Sequence, residues 1–364
     1  MRVLMSIGGP TVFETDTPAD EILIGTANGV VWLRRAEGAW RETARALEGK
    51  HVSNLVEDPE TGRLFAGCHR EGIHASDDGG RTWARKDRGM DNVNVYSMSA
   101  CRGDDGVRLY AGTEPAHLYV SRDGGESWRE LPSLRSVPSV KDWMFPAPPH
   151  VAHVKHITFD PRSADTIYAS VEVGGAFKST DAGQTWRQLS GFFEDVHRLD
   201  VTAARPDHVF MGNGIGIYHS LDAGDTWEQL TDRKARIAYP DLVIVHPRKP
   251  DTVFISGAIC GPGEWRNSKT ADARIARSRD AGKTWQYLEG GLPAHIHGNI
   301  EGLVLNLYRG GVALFAGTTD GDVFWSGDEG DTWSTIASRI GAVSKGGHYL
   351  ALPLDSALAE TAAH

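Results

Sequence analysis

Cysteine is scarce. The 364 residues hold three, Cys68, Cys101 and Cys260, an odd number at no metal-like spacing. A disulfide framework and a cysteine-based zinc knuckle are thereby excluded, and free thiols of a cytoplasmic protein are expected. No apolar run approaches the roughly 20 residues of a membrane span, so no membrane partner is expected. The N-terminal MRVLMSIGGPTVFETD has one Arg, a very short apolar stretch and an early acid, which makes a poor secretory signal. Positive charge is in deficit: 38 Lys and Arg against 48 Asp and Glu leave a net charge of −10. The basic residues are scattered and form no stripe, which argues against a nucleic-acid partner. Helical metal motifs of the H-x-x-x-H or H-E-x-x-H kind are absent too.

What the chain has in excess is one eight-residue string. SRDGGESW at 121–128 recurs as SDDGGRTW (76–83), STDAGQTW (179–186), SLDAGDTW (220–227), SRDAGKTW (278–285) and SGDEGDTW (326–333). Acid, hydroxyl and glycine together resemble a catalytic loop, but a chain needs one active site and not six. The composition fits a turn. Asp and Ser side chains bond to nearby amides, glycine takes the positive φ of a tight hairpin, and Trp offers an apolar face for packing between units. The box acids are therefore read as scaffold.

Each box sits among short β-rich runs. RLYAGTE (108–114) and AHLYVS (116–121) precede one box, SWREL (127–131) follows it, and NVYSMSA (94–100) comes before them all. Four antiparallel strands per unit, repeated, predict an all-β protein: a single seven-bladed β-propeller. The boxed blades span about 50–89, 91–135, 150–190, 195–232, 237–290 and 297–338. A degenerate blade at 20–46 precedes them, with Trp40 in the place of the box Trp. It lacks a first strand, so the C-terminal stretch 344–354, GGHYLALPL from 346 on, is expected to close it, with RVLMSI (2–7) as the competing strand.

The string S-x-D-x-G-x-[ST]-W resembles the Asp-box, or BNR, repeat, and the likeness covers about residues 20–354. Proteins of that kind include sialidases, xyloglucan-cleaving glycosidases, photosystem assembly factors and sortilin-type receptors. The resemblance implies a propeller with the boxes on the rim away from the active face. It does not choose among those activities. The F/Y-R-I-P motif of sialidases is absent; ARIAYP (235–240) is mid-chain and does not match. The xyloglucan-cleaving relatives pair two propellers, and this chain has one.

Propeller geometry places two insertions, 135–150 and 257–274, on the face opposite the boxes, where Trp143, Phe145 and Trp265 can wall a pocket. Of the 15 histidines, His51, His150, His153, His156, His197, His295 and His297 cluster where the chain enters an innermost strand. Aligned by that strand, His51, His153, Arg198, Tyr239 and Asn299 take equivalent places at the pore mouth. Imidazoles converging from several blades can hold a divalent transition metal (Zn, Fe, Mn or Cu), with His51, His153, His197 and His297 as ligands. Glu172, Glu114 and His156 are the candidate proton-transfer groups. His69, Asn94, Arg198, Asn213, Tyr239, Trp265, Arg266, Asn299 and Glu301 are expected to contact substrate. The function expected is hydrolysis or elimination on a small polar or sugar-like molecule. A metal-free glycosidase using a carboxylate pair from Glu114, Glu172, Glu301 and Asp320, and a non-catalytic binding or assembly propeller, are the alternatives. Cys68 beside His69 is a weaker nucleophile candidate.

Overall fold

The computed structural model describes residues 2–352, the side chains of Arg266 and His348 excepted. Seven sheets, six of four strands and one of five, antiparallel or mixed, stand around a central pore. Blade 1 is Arg2–Met5, Glu21–Thr26, Gly29–Ala36 and Ala39–Ala46. The innermost strands of blades 2 to 7 are Val52–Glu57, Val95–Gly103, His153–Asp160, Val196–Thr202, Tyr239–Val245 and Ile300–Tyr308. No described helix is long and apolar enough to cross a membrane.

The hydrophobic core lies between blades rather than at one centre. Val56, Phe65 and Ile73 of blade 2 pack on Val95, Met98 and Leu109 of blade 3. Tyr110 and Leu118 of blade 3 meet Val154 and Ile167 of blade 4. A middle strand is therefore buried on both faces and reads as an unbroken apolar run, as LFAGC (64–68) does. Each such aromatic or aliphatic side chain contributes about 1.5–3 kcal/mol on burial.

The boxes are turns. In the first, Ser76 Oγ donates to Asp78 Oδ1 at 2.8 Å and accepts from the Gly80 amide at 2.8 Å. Asp78 in turn accepts from the Thr82 amide and hydroxyl at 2.9 and 2.7 Å. The same bonds recur around Asp181, Asp222, Asp280 and Asp328. The box glycine sits at positive φ, +94° at Gly80 and +96° at Gly224. The Thr82 amide and hydroxyl hold Asp78 well below the usual carboxylate range. These carboxylates are fully occupied in folding the chain. Trp40 of blade 1 stacks edge-on against Phe315 of blade 7 at 5.4 Å.

Closure differs from the sequence expectation. The competing strand, Arg2–Met5, closes blade 1, paired parallel to Glu21–Ile24. The C-terminal stretch supplies no strand: His348–Ala351 is a short 3-10 turn, and residues 353–354 lie outside the described part. The reason lies in the next segment. Residues 6–11, SIGGPT, cross the pore, and Val12–Glu14 then pairs parallel with Leu305–Leu307 on the inner edge of blade 7. Ser6 accepts from the Leu55 amide, Gly8 exchanges bonds with Ser53 and Met98, and Leu305 donates to Thr11. The N-terminus thus ties blades 1, 2, 3 and 7 together and plugs the pore. Gly8 has no room for a side chain: an added Cβ would stand 2.6 Å from the Tyr96 carbonyl oxygen and overlap Asn54.

Six inner strands share one irregularity. Their register slips by a residue at the same height, leaving Ser53, Tyr96, Lys155, His197, Asp241 and Glu301 as unpaired bulge residues. A bulge re-aims side chains locally. Here it brings a ring of polar groups to one level of the pore, just above the plug.

Candidate functional site

On the face opposite the boxes, above the plug, the pore widens into a cup of about 1260 Å³. Phe145–Pro149 of one insertion and Ile259–Glu264 of the other form two of its walls, and Tyr96, Phe193, Tyr239 and Tyr349 supply aromatic faces. The two insertion tryptophans turn away. Trp143 packs on Phe177 at 5.3 Å, and Trp265 is fully buried in the short helix Pro262–Ser268, donating to the Cys260 carbonyl. Arg266 belongs to the same helix; its side chain lies outside the described residues.

Two residues before each bulge stand His51, Asn94, His153, Asp195, Tyr239 and Asn299. The sequence alignment put Arg198 in this ring. The register gives the place to Asp195, because Arg198 follows the blade 5 bulge instead of preceding it. Arg198 points at the plug, toward the carbonyls of Ile7 and Gly9 and the Thr11 hydroxyl at 3.4, 3.4 and 3.1 Å. It fixes the N-terminus and does not reach the cup. His156 follows the blade 4 bulge in the same way. It lies beneath the cup beside Arg198, and burial holds it well below the usual imidazole range.

The floor is a buried ionic cluster. Glu172 is 1% exposed. Its Oε2 lies 3.0 Å from His153 Nε2, and its Oε1 lies 2.7 Å from Lys155 Nζ. Lys345, carried in by the C-terminal stretch, pairs with Asp241 at 2.6 Å and stands 3.9 Å from Glu172. Burial alone would raise Glu172, but the ammonium groups of Lys155 and Lys345 and the His153 bond hold it well below the usual carboxylate range. Burial, with Lys345 adding to it, pushes Lys155 down to about 8 despite Glu172. Burial also lowers His153, leaving a neutral imidazole. Its Nε2–H therefore donates to Glu172, and its Nδ1 lone pair faces Glu114 Oε2 at 3.7 Å.

Glu114 lines the cup, held by Asn94 Nδ2 at 3.1 Å and hydrogen-bonded to Tyr96. The Tyr96 ring covers His153 at 4.0 Å. Asn94 Oδ1 accepts from the Arg70 amide at 3.1 Å and from His69 Nδ1 at 3.2 Å, while His69 Nε2 accepts from the Gly346 amide at 3.1 Å. Across the cup, His197 Nδ1 donates to the Pro240 carbonyl at 2.7 Å and its ring packs on Tyr239 at 4.5 Å.

Glu172, Glu114, His69, Asn94, His51 and Tyr239 thus meet at one cup, with His153 and His197 immediately behind its surface. The four histidines expected as one ligand set do not converge. His51 Nε2 is bonded to the Ser344 carbonyl at 2.7 Å, His153 is held by Glu172, and His297 pairs with Asp320 at 2.8 Å away from the cup. Asn213 is buried, bonding Phe193 and Ile215 to shape a turn. Asn299 and Glu301 are buried beneath the C-terminal stretch, bonded to Asp241 and to the Lys345 amide. Cys68 is buried and its thiol is pushed up to about 12 by burial, which removes it as a nucleophile at neutral pH. Sequence reasoning missed Asp195, Lys155, Asp241 and Lys345. The signal available for the first three was their spacing from the strand entries.

No family model matches the chain. A xyloglucanase of Paenibacillus sp is 26% identical over 195 residues, 51% of this chain and 14% of the relative's own length. Among solved structures, an ancestral GH74 enzyme superposes with a TM-score of 0.62 at 17% identity, over 79% of this chain and 38% of that one. YCF48 bound to a D1 peptide gives 0.51 at 14% identity, over 90% and 88% of the two chains. The chain therefore spans a small part of the curated relative, and the structural likenesses establish that it is a β-propeller.

Proposed function

We propose that the cup is an acid–base active site acting on a carbohydrate, with Glu114 as the proton-transfer group. The observation that carries this reading is the line Glu172, His153, Glu114. Glu172 fixes the tautomer of a neutral imidazole whose free lone pair faces a carboxyl group at the cup surface. Glu114 delivers a proton to the glycosidic oxygen as the C–O bond breaks, water adds at the anomeric carbon, and the proton released by that water returns to the site carboxylates. The aromatic rings around the cup offer the flat apolar faces that sugar rings stack on. The xyloglucanase likeness supports a carbohydrate as substrate.

The test is a panel of polysaccharides, xyloglucan among them, and nitrophenyl glycosides. Turnover by the wild type should fall about 10²–10⁴-fold in kcat/KM in Glu114→Gln, and the alkaline limb of the pH profile should be lost. Absence of turnover across the panel would sink the catalytic reading. Binding without turnover would favour the second reading, a non-catalytic cup for a partner segment. That reading draws on the near-full-length likeness to YCF48, one structure of which is bound to a peptide.

A further inference from the structure

His197 is oriented for a ligand that is not a protein group. Its side chain is fully buried, and its Nδ1 faces the Pro240 carbonyl at 2.7 Å, an acceptor only, so that nitrogen carries the proton. In the neutral ring Nε2 is then a bare lone pair. It finds no donor among the described residues, and what it faces is two carboxylates: Asp195 Oδ1 at 3.5 Å and Glu172 Oε1 at 3.7 Å. Asp195 Oδ1 is likewise buried without a hydrogen-bond partner. Three negative or electron-rich atoms within 4.8 Å of one another are stable only with something positive among them.

The geometry points to a divalent transition-metal site formed by His197 Nε2, Asp195 and Glu172 at the floor of the cup. Two donors bound tetrahedrally at about 2.1 Å stand about 3.4 Å apart, close to the 3.5 and 3.7 Å between His197 Nε2 and the two carboxylates. One imidazole with two carboxylates suits Zn²⁺, Mn²⁺ or Fe²⁺. The carbonyl behind Nδ1 is the outer contact that orients such a ligand. The Lys155 ammonium stands 2.7 Å from Glu172 Oε1 as an ion pair without hydrogen-bond geometry.

Because Asp195 and Glu172 both line the cup, the open side of the ion would face a substrate oxygen and polarise it. This ligand set shares only His197 with the four-histidine set expected from sequence, and it does not depend on Glu114 being a catalyst.

The experiment uses the full chain without a tag, stripped with a chelator, then titrated with Zn²⁺ or Mn²⁺ in a calorimeter and checked by elemental analysis. One ion per chain is expected. Asp195→Ala and His197→Gln should each weaken binding by tenfold or more, while His297→Gln keeps it. Asp195 is partly exposed and its side chain accepts no hydrogen bond at Oδ1, so Asp195→Ala should fold even if the buried His197 variant does not. Circular dichroism melting without metal checks this. No uptake by the wild type, or uptake unchanged in a folded Asp195→Ala, overturns the site and leaves His197 as a second-proton carrier. Uptake without turnover on the carbohydrate panel would support the site while removing the catalytic reading. Turnover that survives chelation, with no uptake, would do the reverse.

Discussion

Glu172→Gln is the substitution that most directly tests whether the cup floor is dry. The side chain is 1% exposed and touches Lys155 at 2.7 Å and His153 at 3.0 Å. At an effective dielectric of about 20, the attraction to Lys155 alone is about 6 kcal/mol. Glutamine loses that attraction and also loses the desolvation cost of a buried carboxylate, so only part of it appears as lost stability. Breaking a buried pair by removing one partner costs about 3–5 kcal/mol, a large share of the roughly 5–15 kcal/mol that holds a domain folded. The assay is urea unfolding of the wild type, Glu172→Gln, Lys155→Met and the double variant. The single acid variant should be the worst. The double variant should recover part of the loss, with a coupling of about 2 kcal/mol, within the range for groups in contact. A loss below about 1 kcal/mol with additive effects would refute the reasoning. It would show that water reaches Glu172 and screens it, and the arguments for an ionised floor would fall with it.

Two further outcomes follow from the plug and from the buried histidines. Gly8→Ala should cost about 1–3 kcal/mol, because the added methyl meets the Tyr96 carbonyl backbone as well as Asn54; an unchanged urea midpoint would show that the N-terminus does not cross the pore in solution. Stability should fall in mild acid. His51, His69, His153 and His156 are all lowered, chiefly by burial. Below about 6.5 the unfolded chain therefore takes up protons that the folded chain refuses. Asp200, pushed up to about 6 by burial, and Asp320, raised by burial, act in the opposite sense in mild acid, but they are two groups against these four and five further lowered histidines, His74, His117, His208, His219 and His246. A urea midpoint higher at pH 5.5 than at pH 7.5 would contradict this balance.

The six boxes made the architecture legible. Their residue types admit few conformations, and the repeat forced a radial arrangement. The same logic found the face to inspect, and it brought His51, His69, Asn94, Glu114, Glu172 and Tyr239 to one cup, with His153 just behind it. It failed at the inner strands for a definite reason. A bulge carries no sequence mark, so aligning the blades by the end of the inner strand set blade 5 three residues out and put Arg198 where Asp195 stands. Lys345 was invisible for another reason: it arrives in the cluster from far along the chain, on a segment that forms no strand.

Local chemistry, then, was decided by the sequence alone. Where Ser, Asp and Gly must bond to their own backbone there is a turn, and where apolar residues run unbroken there is a strand buried on both faces. Tertiary structure decided which terminus closes the ring, which polar residues share a level of the pore, and what charge each carries. Those outcomes depend on a glycine pair that lets SIGGPT thread the pore and on the burial of the charged side chains packed just above it. Neither distance in space nor desolvation is written in the order of residues.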